Sequence, residues 1–374
     1  MVVGSEHRQA MAKAMGDRAV VVPLASPDAA LTTIVALHSR TPLDAVLGVD
    51  DQGIEVAARA AERLGFRHNS PTAVAGTRNK AVMRERLAAA AIAQPAFRTL
   101  PPGVDATQTC AEIGYPCVIK PVSRSASQGV IRVDNVEQAR RAGARIRAIL
   151  GDCPEPLVVE QFVTGAEVAV EALLIHGRLK VLAVFDKPDP MDGPYFEETI
   201  YVTPSRHEIS ILADVENNTA RAADALGLQE GPVHAELRIG PTGVVTVLEV
   251  AARSIGGLCS RSLSFGVGVS LEEIIIRHAL AMGLDGLTRE SQASGVMMLP
   301  IRSAGVLHRV SGQSRARAVD GVVGVEISIP PGREVIPLPE GDRYLGFIFA
   351  RGATARDVEK TLRRAELCLD VQLR

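Results

Sequence analysis

Gly231-Pro-Val-His-Ala-Glu-Leu-Arg-Ile-Gly-Pro-Thr-Gly-Val-Val-Thr-Val-Leu-Glu-Val-Ala-Ala-Arg253 contains two β-rich runs, residues 233–239 and 244–250, flanking a Gly-Pro-Thr-Gly turn. The pattern predicts an antiparallel hairpin. With Pro241 and Thr242 as a two-residue loop, Gly240 faces Gly243, Glu236 faces Val247 and His234 faces Glu249. Side chains alternate along each strand, so Glu236 and Glu249 share one face as diagonal neighbours. Like charges that close repel, and the face needs cations if both are to stay ionised. Carboxylates are hard oxygen ligands suited to Mg²⁺, which keeps waters and takes phosphates as further partners. Arg253, just past the second strand, adds a positive group within reach of a phosphate. A surface hairpin with solvated glutamates is the plainer reading of any one of these residues. The paired register, the apolar Leu248 and Val250, and Arg253 together favour the metal; a slip of one residue would separate the carboxylates and remove the argument.

The chain around this stretch has 374 residues, enough for two or three units with their own cores. A net charge of -2 gives no footprint for nucleic acid or an anionic membrane. Tryptophan is absent and aromatics are few, which argues against a stacking surface for single strands. The five cysteines are odd in number and widely spaced, as suits a reduced cytoplasmic protein better than a disulfide scaffold or zinc site. The start lacks the apolar core of a signal peptide, and no run has the length of a membrane helix.

Upstream, residues 19–24 and 45–49 are short apolar runs, each followed by a helical pattern, 27–38 and 51–64. This is βαβ material and predicts a parallel sheet. Asp50 and Asp51 fall at a strand end, where open α/β sheets bind ligands, although either also reads as a helix cap. No Gly-rich dinucleotide fingerprint follows the first strand. A helix opens near Thr77 or Asn79 and carries Lys80 in its first turn, where a cation opposes the helix dipole by tenths of a kcal/mol. Tyr115-Pro-Cys-Val-Ile-Lys-Pro121 is a strand ending near Lys120, and Ser123-Arg-Ser-Ala-Ser-Gln-Gly129 follows it. Small and hydroxyl residues let such a loop fold over phosphates; it also reads as a flexible hairpin tip. Glu160 and Glu167 bracket a short crossing between strands, which reads equally as a connector or as a purine and ribose contact. Residues 186–199 are too rich in proline and glycine for a regular element, yet hold Tyr195 and Phe196, as a specificity loop would. From about residue 295 short strands and one closing helix make a smaller α+β appendage in which no chemistry is evident.

Together these motifs resemble the ATP-grasp superfamily of carboxylate–amine ligases. The resemblance rests on Val118-Ile-Lys-Pro121 with its Ser/Gly loop, the Glu160 to Glu167 spacing, and Glu236 with Glu249-x-x-x-Arg253. Residues 186–205 and Gly231-Pro-Val-His234 are similar, more narrowly, to bacterial L-amino acid ligases that make dipeptides. The resemblance implies an α/β (α+β) ATP-grasp fold in four units. These are an N-terminal βαβ parallel-sheet domain at 1–78, a linking helix and lid at 79–165, an antiparallel catalytic sheet at 166–294, and a C-terminal subdomain at 295–374.

By the same resemblance, Lys80 and Lys120 contact ATP phosphates, and Ser123, Ser125, Ser127, Gln128 and Gly129 belong to the mobile lid loop. Glu160 with Phe162 and Val163 receives adenine, and Glu167 the ribose. Glu236 and Glu249 hold two Mg²⁺ (or Mn²⁺) ions, Arg253 stabilises the transferred phosphoryl group and the substrate carboxylate, and His234 lies close to the substrate. The implied reaction joins an amino acid or related small carboxylate to an amine through an acyl phosphate. Its partners are small molecules only, with a homodimer as the default assembly. One position departs from the family pattern. Where an Asn usually follows the second metal Glu by two residues, this chain has Ala251, which cannot ligate metal. That departure is the only sequence support for a non-catalytic nucleotide-binding protein. A purine-pathway or carboxylating relative is the other alternative within the fold.

Overall fold

The structure, a computed structural model, describes residues 2–4 and 16–374. At the N-terminus β1 (Val2–Gly4) and β2 (Ala19–Val21) pair in parallel, followed by helices Pro27–Arg40 and Gly53–Leu64. The second expected strand, residues 45–49, is irregular backbone instead. Its Leu47 and Val49 stay exposed and its Gly48 packs against Ile54, so the run serves as a wall leading into a helix, not as a ladder. A helix not foreseen, Pro71–Arg78, comes before Lys80–Ala89. Asn79 lies between them and accepts from the N–H groups of Ala81 and Val82, satisfying two donors that a helix start leaves unpaired.

The second unit is a four-stranded antiparallel sheet of β3 (Phe97–Leu100), β4 (Cys117–Pro121), β5 (Ile131–Val133) and β6 (Leu157–Gln161), in the order β3-β6-β4-β5. Helices Ala106–Ile113 and Val136–Leu150 cover one face and share an apolar core with it that includes Ile119, Ile146 and Val159. The chain leaves through Gly165, whose φ is +124° and whose Cβ, if present, would lie 2.1 Å from the carbonyl oxygen of Ile239. Only glycine permits that approach, and it brings Glu160 and Glu167 to the end of the next sheet.

That sheet has eight strands: β7 (Ala166–Ile175), β8 (Arg178–Lys187), β9 (Ile200–Thr203), β10 (Gly231–Ile239), β11 (Val245–Ala251), β12 (Ala293–Leu299), β14 (Val322–Ile327) and β16 (Gly346–Gly352). Their order is β11-β10-β7-β8-β9-β12-β16-β14. The strands of the C-terminal region therefore continue the central sheet through the pairing of β12 with β9. Only β13 (Gly305–Ser311), β15 (Glu334–Val335) and β17 (Asp370–Leu373) form a separate three-stranded sheet. Helix Ile209–Ala225 covers β11 and β10, and the core beneath it contains Val215, Leu226, Val233, Leu237 and Val247. Among the described residues no helix is long and apolar enough to cross a membrane.

The hairpin forms in a different register from the one expected. Gly240 donates to the carbonyl of Val244, so the loop takes in Gly243 at a φ of +83°. A bulge next to Glu236 shifts the ladder again. The two single-residue shifts add, and Glu236 pairs directly with Glu249 while His234 pairs with Ala251. Because two shifts restore the parity of the strands, both carboxylates keep the same face.

Candidate active site

A cavity of about 830 Å³ lies where the N-terminal unit, the four-stranded sheet and the central sheet meet. Lys80, Lys120, Ser125, Ser127, Glu160, Phe162, Val163, Glu167, His234, Glu236, Glu249 and Arg253 all line it. Three members of the predicted loop do not. Ser123 is exposed, Gln128 donates to the Glu340 carbonyl at 2.8 Å, and the Gly129 N–H donates to the Pro339 carbonyl at 2.9 Å. Ala126 and Ser127 have φ of 52° and 56°, strained for residues with a Cβ, and this kink aims the hydroxyl end of the loop at the cavity.

One side of the cavity is cationic. Lys80 Nζ lies 3.4 Å from Glu249 and donates to the Arg124 carbonyl at 2.7 Å. Lys120 Nζ lies 2.8 Å from Glu160, whose other oxygen takes Arg84 Nε at 2.7 Å. Three cations thus face two carboxylates. Burial pulls the Lys120 ammonium below its usual pKa, and the charges of Arg84 and Lys80 add to this against the pull of Glu160. An ammonium short of counter-charge in a buried setting favours an anionic ligand.

Burial works against charge on Glu160, yet Arg84 and Lys120 hold its carboxyl down at about 2. Its folded pKa is therefore depressed. The associated stability is present above the ordinary carboxylate range and is lost as pH falls toward 2. We expect Glu160→Gln to lose less stability than the parent protein between pH 6 and pH 3. The difference should be on the order of 2 kcal/mol by urea denaturation, and equal losses in both proteins would contradict the assignment.

The opposite side is acid-rich. Lys187 Nζ sits among Glu167, Glu198 and Glu236 at 2.7, 2.6 and 3.3 Å. Arg238 Nε reaches Glu167 at 3.0 Å, and His234 lies between Glu171 and Glu236. Burial opposes charge on His234, but Glu171 and Glu236 raise its pKa to about 9. Even with His234 charged, three cations face four carboxylates. Burial pushes Glu236 up, with Glu198 and Glu167 adding to it in spite of Lys187. Glu167, Glu198 and Glu236 bring oxygens within 4.8 Å of one another. A carboxylate set with too little positive charge, next to Glu249 across the strand pair, suits a hard divalent cation.

Arg253 pairs with Asp51 at 2.7 Å, tying the end of the hairpin to the N-terminal unit. Asp50, the other candidate there, accepts from the Gly53 N–H at 2.7 Å and caps the following helix. The two expected nucleoside contacts have protein partners here. Glu160 and Glu167 each meet two cations, the Phe162 N–H donates to Pro116, and the Val163 carbonyl accepts from Arg238. Phe162 presents its ring instead, stacked on Phe196 at 6.2 Å with Arg132 over it at 4.4 Å.

Sequence reasoning did not single out Arg84, Glu171, Lys187, Glu198, Arg238 or Tyr344. Arg84 had a signal, since it follows Lys80 by four residues and shares its helix face. Lys187 and Glu198 lie in the Pro/Gly-rich segment already marked as unusual. Tyr344 had none. It comes from the C-terminal region, lines the cavity and donates to Glu198 at 3.3 Å.

This architecture agrees with the known proteins that the chain resembles. Residues 1–67 match the ATP-grasp N-terminal domain, 113–262 the ATP-grasp domain, and 297–374 the L-amino acid ligase C-terminal domain 2. The two ATP-grasp matches together take in more than half of the chain, which belongs to the ATP-grasp family. It is similar to the L-amino acid ligase of Bacillus licheniformis, with a TM-score of 0.84 and 26% identity over 96% of this chain and 88% of that one. An alanine–anticapsin ligase of Bacillus subtilis (strain 168) is 24% identical over 67% of this chain. An uncharacterized protein, y4rH, of Sinorhizobium fredii is 26% identical over 78% of this chain. The chain spans 57% and 60% of the lengths of these two curated relatives.

Proposed function

We propose that the protein is an ATP-dependent ligase that joins an amino acid, or a related small carboxylate, to an amine and releases ADP and phosphate. The observation that carries this reading is the polarity of the cavity. Buried Lys80 and Lys120 leave excess positive charge on one wall, the acid cluster of Glu236 leaves excess negative charge on the other, and Arg253 stands at the rim. A triphosphate suits the first wall and its metal the second. Two Mg²⁺ (or Mn²⁺) ions held by Glu236 and Glu249 would supply neutralisation of the β- and γ-phosphate charge.

Lys80 and Lys120 orient the phosphates, and Ser125 and Ser127 offer hydroxyl donors from the loop above. A carboxylate oxygen of the first substrate attacks the γ-phosphorus, the bond to the β–γ bridging oxygen breaks, and an acyl phosphate and ADP result. The amine then attacks the acyl carbon and loses a proton as phosphate leaves. Positioning and charge neutralisation supply the catalysis, so no nucleophilic side chain is required. A closed lid excludes the water that would hydrolyse the acyl phosphate.

Phosphate release that needs ATP, an acid and an amine together, with an amide of the summed mass as product, is the expected result of a substrate matrix. Release indifferent to both acid and amine would remove the proposal. Ala251, on the cavity wall where the family pattern has an Asn, favours a second reading as a nucleotide binder without turnover. That reading expects ATP binding with no phosphate release for any pair. For the ligase we expect Arg253→Ala to lower kcat by about a hundred-fold and to change ATP affinity by less than about three-fold, as steady-state kinetics and calorimetry would measure.

A further inference from the structure

The loop that presents Ser125 and Ser127 is held from outside its own unit. Pro339 and Glu340, more than two hundred residues later, offer their carbonyls to the Gly129 N–H and the Gln128 side chain at 2.9 and 2.8 Å. The Glu340 carboxylate then takes Arg145, on the helix behind the loop, through Nε at 2.5 Å and Nη2 at 2.9 Å. Arg145 also bonds the Tyr195 hydroxyl and lies 5.2 Å above its ring, so the 186–199 segment joins the same junction. Gly129 is essential to the fit. Its φ is +72°, and a Cβ there would lie 2.9 Å from the ring of Pro121. The same C-terminal segment continues to Asp342 and Tyr344 on the cavity wall.

We propose that residues 337–343 act as a strap that holds the 123–129 loop over the cavity, with Arg145 and Glu340 as its positioning pair, so that nucleotide affinity is set partly by the C-terminal region. The inference rests on the ATP reading for the nucleotide arm of its test only. A bidentate Arg–carboxylate pair fixes direction as well as distance, which suits a junction between segments far apart in the chain. The bonds donated by the Gln128 side-chain amide and the Gly129 N–H order the loop only while the strap stays docked. The Arg145–Glu340 pair keeps it docked from the side away from the phosphates.

The test compares the full-length parent chain with Arg145→Ala, Glu340→Ala and the charge swap Arg145→Glu/Glu340→Arg, each checked for native circular dichroism. Amide hydrogen exchange across residues 123–130 should rise about five-fold in each single variant and return toward the parent in the swap, the size a half-exposed ion pair supplies. Affinity for a non-hydrolysable ATP analogue with Mg²⁺ should weaken about five-fold in the single variants and recover in the swap. Unchanged exchange would overturn the strap, and raised exchange with unchanged analogue affinity would overturn its link to the nucleotide. A parent protein that fails to bind the analogue would remove the ATP reading, while the exchange comparison still decides the strap.

Discussion

Lys120→Ala is expected to lower turnover by about a hundred- to a thousand-fold in a protein that remains folded. The size follows from where the ammonium sits. It lies next to the last residue of a strand that is buried along its whole length, faces the cavity, and shares Glu160 with Arg84. Charge stabilisation in such a water-poor site exceeds that of an exposed lysine, because the surroundings screen it less. Stability should suffer much less than rate, since Glu160 keeps two hydrogen bonds from Arg84 when Lys120 is removed. Steady-state kinetics alongside urea denaturation separates the two. A variant that keeps most of its turnover would take Lys120 out of the machinery.

Arg84→Met should do the reverse and lower stability by about 3–5 kcal/mol. Arg84 is fully buried and serves as the junction of three elements. Its guanidinium binds both oxygens of Glu160 on β6 and the carbonyls of Val247 and Leu248 on β11, at 3.3 and 2.6 Å, from the helix that carries Lys80. The Leu248 carbonyl is next to the bulge that brings Glu249 opposite Glu236. Removing the cation leaves Glu160 with Lys120 alone and leaves buried carbonyls short of a donor, and both are costly. Chemical denaturation should report the loss, and adding Glu160→Gln should recover a large part of it, since the uncompensated charge is then gone. A double variant no more stable than Arg84→Met would mean that shape, not charge, makes the residue necessary.

Much of the lining of the candidate site was legible because its residues announce themselves locally. Lys80 stands in a helix turn that disfavours it, Lys120 ends an apolar strand, and the Ser/Gly loop has the composition of a phosphate cover. The partners of these groups were not legible. The crossing residues Glu160 and Glu167 carry no local sign that each is a counter-ion for two cations brought from distant strands and helices. Arg238 looks like an ordinary strand charge, and Lys187 like a charge at the start of a loop, until β7, β8 and β10 are laid side by side. The C-terminal region seemed free of chemistry because its contributions, Tyr344 and the carbonyls of Pro339 and Glu340, depend on where the chain passes and carry no motif.

The amino-acid pattern alone determined most of the strands and helices, residues 45–49 and 71–78 excepted, that residues 231–253 fold back on themselves, and that Glu236 and Glu249 share a face. These follow from side-chain periodicity, which is local and survives an even number of register shifts. Tertiary structure alone decided the three-residue turn and the bulge, the joining of the C-terminal strands to the central sheet, and the cation that each buried carboxylate meets. Those outcomes depend on backbone hydrogen bonds and charges from segments far apart in the chain, whose balance no short window of sequence contains.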